Sequence, residues 1–339
     1  MVVRDYTVGG SEAGVAVAKG LVDAEWFIPH VDRGTMKALM TRRNWPASRD
    51  TICWIVLLVA SGWWAYTVWG TVWAAPAFAI YGVMYGSASD ARWHECGHRT
   101  AFRSRLANDV VYHVAAFMDF REPVSWRWSH ARHHSDTIVV GRDPEIAFKR
   151  GAPFTHVLLE LFAIRTVIAE SRKLLLNSVG RQTNEQADYQ PSDEFRASMW
   201  WSRAYVLVFV GVVAWCFTVG SILPAMFVGL PTIYGRWLMV VYGITQHAGL
   251  AEDVLDHRLN TRTVLMNRFN RFMYLNMNYH LEHHIFPTVP YHALPRLHSA
   301  VADQLPAPHR GILPALKEIV PTLLRQRRDL EASIAVRLP

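Results

Sequence analysis

Long apolar runs alternate along the chain with polar, basic segments, and the lengths of those runs predict the architecture. Residues 51–89 contain no Asp, Glu, Lys or Arg. A helix needs about 20 residues to cross a hydrocarbon core. The run therefore predicts two spans, near 51–70 and 74–92, with a tight turn around 70–76. Trp63, Trp64, Trp69 and Trp73 fall where the far interface would lie. Residues 204–235 are again free of charge, and after Arg236 the apolar run resumes to Ala251. Two more spans are predicted, near 204–222 and 226–249, with Pro224 in the turn. Arg236 is the one basic residue well inside a span and should face the bundle interior or a wet cavity. Residues 154–176 repeat apolar positions at helical spacing but carry Glu160, Arg165, Glu170, Arg172 and Lys173. That pattern predicts one amphipathic helix lying at the interface. Residues 177–195 read as a polar loop.

These elements predict an all-α polytopic membrane protein with four transmembrane helices in two hairpins. Its parts are a cytosolic N-terminal segment (1–50), a membrane domain (51–300) and a cytosolic C-terminal tail (301–339). Composition agrees, since 51% of the residues are hydrophobic, 19% are charged, and there are 14 Trp and 12 Tyr. The net charge of +7 is explained by topology. Two hairpins put residues 1–50, 90–203 and 252–339 on one side, and these hold 7, 16 and 11 of the 35 Lys and Arg. The inter-span turns hold none. This distribution marks that side as cytosolic and accounts for the charge without a nucleic-acid partner. The three cysteines, Cys53, Cys96 and Cys216, form no C-x-x-C pair, which argues against a disulfide framework or a cysteine zinc site.

Histidine carries the chemistry. The spacing H-x-x-H-H occurs at His130, His133 and His134 and again at His280, His283 and His284. His94 and His98 form an H-x-x-x-H just after the second span, and His247 ends the fourth. All nine fall on the predicted cytosolic side. Residues at i, i+3 and i+4 share a helix face, so short helices would present convergent imidazoles. Neutral imidazole ligates iron, zinc, copper and nickel. Nine donors exceed one ion's coordination and suit two, which predicts a dinuclear site.

The motifs HECGH, HARHH and HLEHHIFP, with His247 between the last two, resemble the membrane fatty-acid desaturase and hydroxylase superfamily over about residues 50–300. The resemblance implies four transmembrane helices under a cytosolic helical cap that holds two iron ions. Its iron ligands would be His94, His98, His130, His133, His134, His247, His280, His283 and His284. It implies an oxidoreductase that uses O2 and two electrons to desaturate or hydroxylate an unactivated C–H bond of a fatty-acyl or other lipid substrate. No H-P-G-G haem signature occurs, so the electrons would come from a separate donor, a ferredoxin or similar protein with an NAD(P)H reductase. Gly243 stands where acyl-CoA desaturases of this superfamily carry an Asn that reaches a metal through water, which points to a changed ligand shell. The stretches QHAGLAEDVLDHRLNTRTV and HLEHHIFPTVPYHALPRLH are most similar to a bacterial subgroup that includes the rhizopine-catabolism oxygenase. That narrower resemblance implies a bacterial inner membrane and brings in hydroxylation or oxidative demethylation of a smaller molecule.

Metal-bound histidine usually donates its other N–H to a carboxylate or carbonyl. Asp90, Glu95, Asp136, Asp143, Glu145 and Glu282 lie near the histidines in sequence and are candidates for that role, and Asn276 is a further candidate donor. His113, His257, His292 and His298 read as ordinary polar or interfacial histidines. Glu95 also makes His94–His98 a formal H-E-x-x-H, the zinc metallopeptidase pattern with Glu as general base. That alternative leaves both H-x-x-H-H sets idle. The chain's only E-x-x-H argues against a soluble di-iron carboxylate bundle, which needs two and further glutamates.

Overall fold

The first apolar run is helical from Asn44 to Thr67 (α1), about two turns earlier than its charge-free stretch begins, and Ala47 and Asp50 in those added turns are buried. Asp50 is buried there and accepts a hydrogen bond from the Tyr291 hydroxyl at 2.7 Å. This computed structural model describes residues 4–22 and 24–339. Among them there is no strand, only isolated bridges pairing Thr263 with Tyr279 and Val264 with His309, so the fold is all-α.

The second predicted span is two helices, Ala74–Gly86 (α2) and Ala88–Gly97 (α3). Next come Arg105–Met118 (α4) and Pro123–Ser135 (α5). The predicted interfacial helix is also two pieces, Phe154–Leu161 (α6) and Ile164–Ser178 (α7), because Ala163 between them takes the left-handed conformation at φ +50°. Leu158, Leu159, Ile168 and Leu175 stay exposed along them. The expected loop 177–195 contains a short helix, Asn184–Tyr189, capped where the Thr183 hydroxyl accepts from the Gln186 N–H. Its Tyr189 meets Ser125 of α5 at 3.2 Å.

The third run forms Phe195–Val219 (α8), which ends on Gly220 at φ +60°. Among the described residues, one helix is long and apolar enough on its own to cross a membrane, the 28-residue stretch Ser192–Val219. The fourth predicted span is interrupted. It contains Leu230–Gly235 (α9) and Trp237–His247 (α10), with a short helix, Leu223–Phe227, before them.

The two interruptions hold each other. A helix break orphans backbone carbonyl and N–H groups that need partners. The Ser87 hydroxyl, at the α2–α3 break, donates to the Gly235 carbonyl at 2.5 Å and accepts from the Met239 N–H at 3.1 Å. The backbones cross so closely that a Cβ on Gly235 would lie 1.9 Å from the Gly82 carbonyl oxygen. Only glycine fits such a crossing. The result directs α3 and α10, with His94 and His247, toward the same space.

The remaining elements are His280–Ile285 (α11), all of it buried, and Ile312–Gln326 (α12). The main core runs from α2, α3 and α4 into residues 273–305, and a second core joins α10 to α12 through Val240, Ile244, Ala315 and Ile319. Arg92, buried on α3, ties the helix to the later segment by donating to the carbonyls of Met273 (2.8 Å) and Phe272 (3.1 Å).

Candidate metal centre

The nine histidines come from four short pieces of chain. α3 supplies His94, and His98 follows as its C-terminal cap. The left-handed Arg99, φ +58°, then ends the helix. α5 supplies His130, His133 and His134. It starts where the Glu122 carboxylate accepts from the N–H groups of Val124 (2.9 Å) and Ser125 (2.7 Å), with Pro123 in its first turn. His247 closes α10, and α11 supplies His280, His283 and His284.

They gather in two groups, one of His94, His98, His130, His134 and His283, the other of His133, His247, His280 and His284. Within each group the candidate donor atoms lie within 4.8 Å of one another. Each H-x-x-H-H triplet is divided between the groups. α5 gives its first and third histidines to one and its second to the other, and α11 does the reverse. The groups are neighbours, since the rings of His134 and His284 stack with centroids 4.4 Å apart.

The inner edges are Nε2 atoms. His98 and His130 approach to 3.0 Å, His130 and His134 to 3.2 Å, and His134 and His283 to 3.1 Å. In the second group His247 and His280 approach to 3.0 Å, and His280 and His284 to 3.1 Å. The outer nitrogens show which atoms carry lone pairs. His247 Nδ1 lies 2.9 Å from the Asn260 carbonyl oxygen, which only accepts, so this Nδ1 bears the hydrogen and Nε2 the lone pair. His130 Nδ1 faces Glu145 at 3.1 Å and His133 Nδ1 faces Asp143 at 2.9 Å. Lone pairs turned toward each other at this range repel unless a cation lies between them. A metal–nitrogen bond of about 2.0–2.1 Å places right-angle neighbours about 2.9 Å apart and tetrahedral ones about 3.4 Å apart. The observed spacings fall in that interval. His94, with neither nitrogen partnered, and the unpartnered Nδ1 atoms of His134, His280 and His283 are buried too. Both donor sets therefore fit metal ions with a preference for imidazole.

Electrostatics favour the ligating form. Burial, followed by the neighbouring imidazoles, holds His94, His130, His134, His280, His283 and His284 well below the ordinary histidine value of 6.5. Burial lowers His98 to about 4. His133 alone is raised: burial lowers it, but Asp143 more than offsets this.

The carboxylates sort into two kinds. Asp143 accepts from His133 and the Ile138 N–H at 2.8 Å, and Glu145 accepts from His130 and the Ser129 hydroxyl at 2.9 Å. The others touch none of the nine. Asp90 forms an ion pair with Arg121 at 2.7 Å. Asp136 pairs with Arg132 (3.2 Å) and Arg142 (3.1 Å). Glu282 accepts from Thr263 at 2.5 Å and contacts His298. Asn276 accepts from Arg271 and donates to the Tyr291 carbonyl. Glu95 accepts from the Thr100 hydroxyl at 2.7 Å and the Tyr291 N–H at 3.1 Å, away from the histidines, so it is not placed to act as a base beside a zinc at His94–His98. Partners that the sequence did not suggest are the Asn260 carbonyl and Thr137, whose hydroxyl lies 3.1 Å from His284 Nδ1. His257 also lies nearby, its ring 5.3 Å from that of His284 and stacked on Trp26 at 4.2 Å.

A cavity of about 290 Å3 opens onto both groups, lined by His94 and His130 of one and His133, His247 and His280 of the other. Trp93 and Trp126 form part of its wall, with the Arg121 guanidinium stacked on them at 3.9 and 4.5 Å.

An all-helical fold that presents two adjoining imidazole groups to one cavity has the donor sets of a histidine-rich metal protein. The sequence profile of the fatty acid desaturase family matches residues 71–313, well over half of the chain, and the chain belongs to that family. It is 28% identical over 249 residues to omega-6 fatty acid desaturase, endoplasmic reticulum isozyme 2, of Glycine max, covering 64% of each chain. It is 25% identical over 250 residues to Delta(12)-oleate desaturase of Trichosanthes kirilowii, covering 64% of this chain and 66% of that one. It is 24% identical over 294 residues to acyl-lipid omega-3 desaturase (cytochrome b5), endoplasmic reticulum, of Arabidopsis thaliana, covering 77% and 73%. The chain thus spans just under two thirds of the length of the first two.

Proposed function

We propose that the chain is a membrane-bound di-iron oxidoreductase. His94, His98, His130, His134 and His283 would hold one iron, and His133, His247, His280 and His284 the other. With O2 and two electrons, such a centre supplies the oxidation of an unactivated C–H bond, here by desaturation or hydroxylation of a fatty-acyl or other lipid substrate. The observation that carries this reading is the inward convergence of Nε2 atoms in two groups within a chain of the desaturase family.

The chain's own residues prepare and shield the centre. Asp143, Glu145 and the Asn260 carbonyl fix hydrogens on outer nitrogens and so keep inner lone pairs free. Trp93 and Trp126 limit water beside His94 and His130. The cavity orients the reacting carbon, on which the choice between a double bond and an alcohol depends.

In the same reading the chain crosses the membrane four times, as two hairpins around α1–α2 and α8–α10, with the metal centre and both termini cytosolic. The apolar residues exposed along α1 (Ile52, Ile55, Val56, Val59) and α8 (Leu207, Val210, Val213, Phe217) support lipid contact. Electrons come from a separate ferredoxin-like protein and its reductase, in a bacterial inner membrane. Lipids and small metabolites of cells carrying the wild type and His283→Ala test the reading. A desaturated or hydroxylated product should disappear in the variant. Identical profiles, with the wild-type protein present and iron-loaded, would overturn it.

A further inference from the structure

The cavity beside the histidines has a charged inner end. Arg236 lines it and is 7% exposed, and its Nη1 is buried with no hydrogen-bond partner among the described residues. The nearby carboxylates bond to other groups, and Asp119 interacts with Arg236 through space alone. Asp90 is paired with Arg121, and Asp119 is fully buried, accepts from the Ser89 hydroxyl at 2.9 Å and lies 3.8 Å from Arg121. Arginine stays protonated in proteins, and a buried charge without a partner is costly. Asp90 and Asp119 balance Arg121 and Arg236 in number, but among the described residues no carboxylate reaches the Arg236 guanidinium, which leaves it free to hold an anion from outside the chain.

The cavity wall leads from that cation to the metal centre. Arg236, Val240, Gly243 and His247 all line it, at intervals of four, three and four residues, which is one face of a helix. Arg236 and His247 are thus separated by about 16 Å of helix rise. Between them Gly243 keeps the wall open. A Cβ there would meet only the end of Met239, at 3.9 Å, so glycine is not required by packing and any larger side chain would project toward the cavity space. At about 290 Å3 the cavity is at the small end of ligand pockets, which run from about 300 to 1,000 Å3.

We propose that this cavity binds a compact amphiphile through a carboxylate, or an equivalent singly charged anion, held by Arg236, with its apolar part lying over Gly243 and its reacting C–H beside the histidines. Arg236 and Gly243 then set specificity. The anion at Arg236 fixes how far along the molecule oxidation falls, and the open wall at Gly243 admits its body. The proposal rests on reading the histidine groups as the metal centre, and narrows the substrate class from lipids in general to small carboxylates.

Matched probes test it on the full-length protein in detergent. Octanoate and 1-octanol are compared by the concentration dependence of the melting temperature, in wild type, Arg236→Gln, Arg236→Lys and Gly243→Leu, with iron content recorded for each. Wild type should bind octanoate at least tenfold more tightly than 1-octanol. Arg236→Gln should abolish that preference, Arg236→Lys should keep part of it, and Gly243→Leu should weaken both probes. Equal affinity for the two probes in wild type, or a preference that survives Arg236→Gln, overturns the proposal. Iron content separates the two levels. Iron-loaded protein without carboxylate preference refutes the subsite alone, whereas iron-free protein refutes the metal centre on which it rests.

Discussion

Replacing Asp143 by Asn probes how the second histidine group is held. The Asp143 side chain has no solvent exposure. One carboxylate oxygen accepts from His133 Nδ1 at 2.9 Å and from the Ile138 N–H at 2.8 Å, and the other accepts from the Glu145 N–H at 2.8 Å. Asn keeps the size but has one acceptor oxygen. If that oxygen stays with Glu145, the new amide N–H2 faces two donors; if it turns, the Glu145 N–H is lost. Each buried donor left unsatisfied costs about 1–3 kcal/mol. Losing the group that orients a ligating histidine costs about 10–100-fold in metal affinity, which is about 1.4–2.7 kcal/mol. The loss should fall on the group containing His133 and spare the other. Glu145→Gln should do the converse through His130, more mildly, because Glu145 is partly exposed. The assay is metal content after dialysis against a graded series of chelator concentrations. Wild type should retain about two metals per chain, and Asp143→Asn should release about one of them at 10–100-fold lower chelator. Loss of both metals together, or retention identical to wild type, would refute the division into two separately supported groups.

Three further outcomes follow from the same structure. Gly235→Ala forces a Cβ to within 1.9 Å of the Gly82 carbonyl and should cost at least about 3 kcal/mol, read as a lower melting temperature with reduced metal content; Gly211→Ala, which meets nothing within 4 Å, should be neutral or slightly stabilising. Metal-free protein should lose stability on acidification. Each lowered histidine binds its proton in the unfolded chain from about pH 6.5 but in the folded chain only further down, so each costs about 1.4 kcal/mol per pH unit below 6.5 until its folded value is reached, about 4 for His98. His133, Glu95, Asp119, Glu122 and Glu252, all raised, oppose this but are outnumbered; a melting temperature that stays level or rises from pH 7.5 to about 5.5 would contradict it. Glu95→Gln should leave metal content and activity intact, because burial already pushes that carboxyl up to about 7 and Gln mimics its protonated form; abolished activity with metal retained would restore the zinc-peptidase alternative.

The sequence revealed the site's membership more fully than its wiring. Eight histidines stood out through spacing and His247 through its place at the end of the fourth run, and these same nine form the two groups. Their crosswise division was hidden because i+3 and i+4 both count as one helix face. On a helix of 3.6 residues per turn they still differ by about 100°, enough for α5 and α11 each to serve two groups. Asp143 and Glu145 were visible as nearby carboxylates. The Asn260 carbonyl was not, since every residue has one. Glu282 was misleading: between two of the histidines it turns to Thr263 and His298 instead. Hydropathy located all four apolar runs but not the breaks at Ser87 and Arg236, because one interrupted residue hardly changes a run's average. The charge at Arg236 was the surviving signal, and it marks where the fourth run breaks and the cavity reaches inward.

In the proposed reading nine histidines form two adjacent iron sites. Elemental analysis of protein purified from iron-replete cells tests it most directly, with His130→Ala and His247→Ala measured beside the wild type. The expected result is about two irons per chain in wild type, with each variant losing metal first from its own group. One zinc per chain, or full iron in both variants, would contradict the account.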